Sequence, residues 1–391
     1  MEITYHGFVV NTFSGRDPIT GTIIVVHCED DRIVQVEHDS TSDPPDLETW
    51  LSPGLIDLQV NGYCGHDLNA DDLDVDTVRS LARSLLETGV TTFAPTLITA
   101  SEEKLIRNLR MIAEARRSDP LLLHMIPFIH VEGPHIDASD GPRGAHPAEH
   151  VRPPDISEFE RWQDASGNLV GMVTLSPHYS EAPAYIRALA GRGVHVAIGH
   201  TNATRDQISS AVDAGASLST HLGNGISQVI PRHPNPIWTQ LADDRLHATF
   251  IADGHHLPND ALIAMLRAKT PSRSILVSDV VATAGRLPGR YTTPVGASVD
   301  LEANGRLRIA GTQYLAGAVT PLKTCVARVA SLTGFSLRDA VLMATRSPGR
   351  FARRGELVPG HAADLIQFRW KYGAPTLEIE QAVAMGRVVE S

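Results

Sequence analysis

Glu132, His200 and His221 are one carboxylate and two imidazoles, each placed where a short apolar run ends. Such a set makes a three-ligand catalytic metal site that leaves a position for water. The segments that carry them are Val131-Glu132-Gly133-Pro134, Ile198-Gly199-His200-Thr201-Asn202 and Ser219-Thr220-His221-Leu222-Gly223-Asn224. Two more segments share the layout, Asp253-Gly254-His255-His256 and Val277-Ser278-Asp279. An aspartate at 279 can take a proton from a metal-bound water and return it to a leaving group; alone, it could equally cap the next segment. One member of the His255-His256 pair reaches a substrate and the other is structural. A single histidine at a strand end is most often a hydrogen-bonded core residue. It is the joint occurrence that points to metal-assisted hydrolysis.

These residues converge only if the runs before them are neighbouring parallel strands. Leu55–Val60, Thr91–Ala94, Met125–Val131, Leu169–Leu175, His195–Ile198, Ser217–Thr220, Ala248–Ile251 and Ser274–Val277 read as strands. Helix-like stretches lie between them, including Leu73–Thr88, Glu102–Arg117, Ala182–Arg192, Arg205–Ala214 and Asn259–Lys269. Gly89, Gly193 and Gly215 follow three of these at C-cap positions. The alternation predicts a closed (β/α)8 TIM-like barrel, whose C-terminal strand ends meet at one mouth. An open doubly wound sheet would not gather residues from strands 3, 5, 6, 7 and 8 at one point. Residues 1–52 and 346–391 read as short strands forming one small β-sandwich module, with Asp43-Pro44-Pro45-Asp46 as a turn or linker. Residues 53–345 form the barrel, with a β insertion near 291–310.

Strand 1 carries Gln59 and Asn61 where a second metal would need His-x-His, so one metal per chain is expected. The 391 residues and 42% hydrophobic content suffice for a large core and a smaller module. A net charge of -11 without a basic run disfavours nucleic acid. Three cysteines without paired spacing suit a reduced, cytoplasmic setting, and no apolar run is long enough to span a membrane.

In order along the chain, Pro53-Gly54-Leu55-Ile56-Asp57-Leu58-Gln59-Val60-Asn61-Gly62, Pro95-Thr96-Leu97-Ile98-Thr99, Val131-Glu132-Gly133-Pro134, Gly199-His200-Thr201-Asn202-Ala203-Thr204, Thr220-His221-Leu222, Ile251-Ala252-Asp253-Gly254 and Leu315-Ala316-Gly317 resemble the amidohydrolase superfamily. Within it they resemble the N-acetylglucosamine-6-phosphate deacetylase family, in its one-metal branch. The resemblance implies roles. Glu132, His200 and His221 hold one divalent metal, zinc first, with iron, manganese or cobalt as alternatives. Asp279 is the acid/base. His146 and Ala145 face the acetamide and sugar. Asn224, Gly225 and Arg232 meet the phosphate, with His256. Leu315, Ala316 and Gly317 line the substrate side. A homodimer acting on an amino-sugar phosphate is implied. The chain departs from the family at Gly223-Asn224-Gly225-Ile226 and at Pro231–Trp238. The expected reaction is removal of acetyl from N-acetylglucosamine 6-phosphate. Hydrolysis of a different N-acyl sugar, an N-acyl amino acid or a cyclic amide is the alternative, and a non-catalytic binding barrel is the remaining one.

Overall fold

The computed structural model describes residues 3–5, 8–39, 49–293 and 296–388. The expected turn at Asp43–Asp46 lies outside them. Eight parallel strands, β1 (Leu55–Val60), β2 (Val90–Ile98), β3 (Ile129–Glu132), β4 (Val170–Leu175), β5 (His195–Ile198), β6 (Leu218–Ser219), β7 (His247–Ile251) and β8 (Ser274–Val277), pair in sequence order. The ring closes where Asp279 N donates to Gln59 O (3.1 Å) and Asn61 N to Val280 O (2.9 Å). The fold is therefore the expected (β/α)8 barrel.

Two apolar layers hold it. Inside, Ile56, Leu58, Ala94, Met172, Ala197 and Ile275 fill the ring. Outside, the helices bury one stripe each. In the helix Glu102–Ser118, Leu105, Leu109, Ile112 and Ala113 face inward, a spacing of three and four residues, and Ser101 caps the Lys104 amide. The helix Arg205–Ala214 opens on a Thr204–Gln207 capping box and stops at Gly215, whose φ of 118° suits a residue without Cβ.

At the N-terminal end of the ring, Phe351 from the helix Arg346–Ala352 sits edge-on to His195 (5.0 Å) and His247 (5.3 Å). This helix plugs the barrel floor. Its Phe351 and Ala352 bury against the ring interior rather than against the small module.

The small module draws on both chain ends. Its sheet runs in the order 387–388, 378–384, 365–369, 49–53, 8–16, 23–29 and 32–39. Ile33 N donates to His361 O (2.9 Å) and Ala363 N to Asp31 O (2.9 Å), so the sheet curls back on itself. Phe13, Val26, Ile33, Leu51 and Leu365 are enclosed by it as a separate core. A third, antiparallel sheet comprises Gly289–Thr292, Ser298–Leu301 and Leu307–Ile309. Its Val299, Leu301 and Leu307 pack on Val281, Ala316 and Val319 beside the mouth. Among the described residues no helix is long and apolar enough to cross a membrane.

Candidate active site

Glu132 is the last residue of β3, and His200, His221 and Asp279 lie just beyond β5, β6 and β8. The last three adopt positive φ, at 50°, 28° and 52°. For residues with a Cβ this conformation is costly and persists only where surrounding bonds impose it. Here the strand ends impose it. His221 N donates to Thr249 Oγ1 (2.6 Å), and Asp279 is pinned on both sides by its bonds to Gln59 and to Ala318 N. The turn aims each side chain back over the ring.

The result is a tight triangle. His221 Nε2 lies 3.0 Å from Glu132 Oε1, His200 Nε2 lies 3.2 Å from the same oxygen, and the two Nε2 atoms are 3.1 Å apart. Nitrogen and oxygen ligands of a tetrahedral ion, at about 2.0–2.1 Å from it, sit roughly 3.3 Å from one another. The triangle fits such an ion. His200 Nδ1 donates to Pro142 O (2.7 Å), which leaves the Nε2 lone pair for a metal. Gly225 backs this ring closely, since a Cβ there would lie 3.0 Å from His200 Nδ1. His221 Nδ1 is buried and takes no partner among the described residues. Glu132, His200 and His221 are also the one cluster of this kind that the described residues form.

Gln59 and Asn61, read from sequence as poor ligands, act as donors. Gln59 Nε2 donates to both Glu132 oxygens (3.0 and 3.1 Å) and to Asp279 Oδ1 (3.1 Å). Asn61 Nδ2 donates to the same Asp279 oxygen (2.8 Å). Two buried carboxylates are thus bridged by amide hydrogens where a histidine pair would bring a second cation. Burial pulls the Glu132 carboxyl up, but hydrogen bonds and charge from His200 and His221 hold it well below the usual range. Burial, with Glu132 nearby, pushes Asp279 up to about 8. Burial also lowers His146 to about 3, so its ring is neutral. His146 Nδ1 bonds Thr99 Oγ1 (2.7 Å), and the ring stands 4.3 Å from that of His200.

Asn61, Glu132, His200, His221 and Asp279 line one cavity of about 820 Å³. Ala145, His146, Asn224, Gly225, His256, Leu315, Ala316 and Gly317 line it too. The structure separates the adjacent histidines. His256 Nδ1 bonds Asp253 Oδ2 (2.8 Å) and the residue faces the cavity, whereas His255 Nε2 bonds Asn304 O (3.1 Å) on the insertion. Asn224 turns its amide back to His221 O (3.2 Å). Arg232 does not join them. It is exposed and absent from the lining, because Asn235 organises the segment around itself. Asn235 Nδ2 donates to Pro231 O (3.3 Å) and Arg232 O (3.2 Å), while Oδ1 caps the helix Pro236–Ala242. Among the described residues, the arginine that lines the cavity is Arg286. Its loop has no periodicity, and nothing in the sequence marks it.

A cluster of strand-end histidines and carboxylates at the mouth of a (β/α)8 barrel defines a metal-dependent hydrolase, and the Amidohydrolase family model matches residues 50–389. The chain belongs to the amidohydrolase family. Over 81% of its length it is 34% identical to N-acetylglucosamine-6-phosphate deacetylase of Bos taurus, covering 78% of that protein. It is 30% identical, over 81% of its length, to N-acetylgalactosamine-6-phosphate deacetylase of Escherichia coli O157:H7, covering 82% of that one. A solved mutant of N-acetyl-D-glucosamine-6-phosphate deacetylase from Mycobacterium smegmatis, in complex with N-acetyl-D-glucosamine-6-phosphate, superposes with a TM-score of 0.84 at 28% identity. That match covers 97% of this chain and 99% of the other.

Proposed function

We propose that the protein hydrolyses the acetamide of N-acetylglucosamine 6-phosphate to glucosamine 6-phosphate and acetate. The observation that carries this reading is the Glu132–His200–His221 triangle beside an Asp279 whose Oδ1 is fully engaged by two amides. A binding barrel has no use for a proton acceptor so placed. Glu132, His200 and His221 would hold one divalent ion, zinc being the ion that a carboxylate and two imidazoles suit first, with iron, manganese and cobalt also compatible. Such an ion polarises an amide carbonyl and acidifies a water.

The chain's own groups do the rest. A cation held by the triangle would offset the burial that raises Asp279 and leave it ionised, so that it accepts the proton of the attacking water and delivers it to the amine that leaves. Gln59 and Asn61 hold the carboxylate still during this exchange. His146, neutral and oriented by Thr99, donates to the carbonyl oxygen as charge gathers there, which requires the Thr99 hydroxyl to donate to Nδ1 so that Nε2 carries the hydrogen. Ala145, Leu315, Ala316 and Gly317 shape the sugar side, and Asn224, Gly225 and His256 approach the phosphate.

We also read the protein as a cytoplasmic homodimer, with residues 53–345 and the floor helix forming the catalytic barrel. Val229 (88% exposed) and Trp238 (53%) on the segment beyond β6 support a second copy covering that face. The Escherichia coli relative gives the galacto epimer standing as a second substrate reading. Acetate release from both epimers, with and without the 6-phosphate, tests the proposal. The 6-phosphate of N-acetylglucosamine is expected to be the best substrate, and no acetate from any of the four would reject it.

A further inference from the structure

One layer below the ligands, the barrel interior changes from apolar to polar. Ala94, Phe128, Met172 and Leu218 belong to the apolar filling of the ring. Two residues further along the same strands stand Thr96, His130, Thr174 and Thr220. Side chains two apart in a strand share a face, so these four also point inward, one step nearer the mouth. All four are buried.

They form one hydrogen-bonded chain across the ring. Val60 N donates to Thr96 Oγ1 (3.2 Å), and the Thr96 hydroxyl donates to Ala94 O (3.2 Å). That oxygen can then only accept from His130 Nδ1 (3.4 Å). The ring hydrogen is therefore on Nδ1, and Nε2 is an acceptor. Thr174 donates to Nε2 (2.8 Å), so its oxygen accepts from the Thr220 hydroxyl (2.7 Å). His130 itself is no member of the ligand cluster.

The Thr174–Thr220 pair touches the turn of every ligand. Thr174 is the register partner of Glu132, and its carbonyl accepts from Gly133 N (3.0 Å). Thr220 immediately precedes His221. Gly199, which precedes His200, lies between the two threonines. A Cβ there would be 2.8 Å from both Thr174 Cγ2 and Thr220 Cβ. The strand β5 runs between β4 and β6, so the two hydroxyls meet across its end only because residue 199 has no side chain.

We propose that His130 is a positioning residue: by fixing which way the Thr174 and Thr220 hydroxyls point, it holds the three ligand turns at the spacing that grips the metal. This rests on the metal-dependent hydrolase reading and not on the choice of sugar.

The test is zinc affinity, read by chelator competition on stripped protein, with kcat and KM at saturating zinc and the urea midpoint alongside. His130→Met replaces the ring by an apolar chain, and Thr174→Val keeps its shape but breaks the next link. Each should weaken zinc binding roughly 10-fold or more, the scale on which groups that orient metal ligands act. At saturating zinc kcat should fall while KM hardly changes. His130→Gln, whose Oε1 can accept from Thr174, and Thr174→Ser, which keeps the hydroxyl, should restore most of both. A lowered urea midpoint with zinc affinity and kcat unchanged would make His130 a core filler and overturn the proposal. Losses in His130→Gln and Thr174→Ser as large as in the other two would overturn it as well. If His130→Met does not fold, Thr174→Val decides alone. Should the wild type bind zinc but release no acetate from any sugar, the deacetylase reading fails on its own, and zinc affinity still decides the role of His130.

Discussion

The two sides of the mouth are built by different rules. On the metal side, Glu132, His200, His221, Asp279, Gln59 and Asn61 are all under a tenth exposed, and each is bonded to at least one other member of the set. On the facing side the lining comes largely from loops, and among the described residues its one arginine, Arg286, is exposed and has no ion pair. Chemistry tolerates little displacement, so its groups are fixed by strand ends and by one another. Recognition needs groups left unsatisfied until a ligand arrives, and those sit on loops.

Breaking the metal side should have the largest effect. His200→Ala and His221→Ala should each lose metal and activity together, read by elemental analysis and acetate release on one sample. Asp279→Asn should cut kcat by at least about 10²-fold while metal content stays near normal, because general acid–base catalysis is lost and the ligand triangle is not. Loss of metal in this variant would instead make Asp279 a fourth ligand. Gln59→Leu should be milder. It removes donors to two buried carboxylates, and at about 1.5–3 kcal/mol for bonds to charged groups kcat/KM should drop roughly 10- to 100-fold.

The smallest effect lies away from the mouth. His135 is buried against Trp162 (ring centroids 5.5 Å apart) and Tyr185 (5.3 Å), and burial lowers it to about 4. Unfolded, it titrates near 6.5. Between those values the unfolded chain binds the extra proton, so stability must fall as pH drops through that window. From about pH 6.5 to about pH 5 the contribution is up to about 2 kcal/mol. Urea midpoints at the two pH values should converge more for His135→Gln than for the wild type. An equal loss in both would remove His135 from the effect.

The same contrast explains what the sequence reveals. Glu132, His200, His221 and Asp279 are legible because buried parallel strands are short apolar runs, and the residues at their C-terminal ends must converge. Arg205–Ala214 and Asn259–Lys269 are bounded in the structure as the sequence predicts, the first by its capping box and glycine. The expected strand Met125–Val131 is shorter, β3 starting at Ile129. Asp119 caps a helix, Pro120–Met125, out of the same apolar run, and a short apolar run has no period that separates helix from strand. Gln59 and Asn61 are legible as missing ligands but not as donors, since that role depends on Asp279, which becomes their neighbour only when β8 closes the ring against β1. Arg286 lies in an aperiodic loop, and only its contact with Gly65 brings it to the wall.

A metal titration of the stripped protein, following acetate release from N-acetylglucosamine 6-phosphate against equivalents of zinc, tests the one-metal site most directly. A rise that is linear to one equivalent per chain and then flat is the predicted result. It would mean that the Glu132–His200–His221 triangle suffices and that Gln59 and Asn61 serve as donors. A curve that needs two equivalents, or protein that stays inactive at every loading, would contradict it.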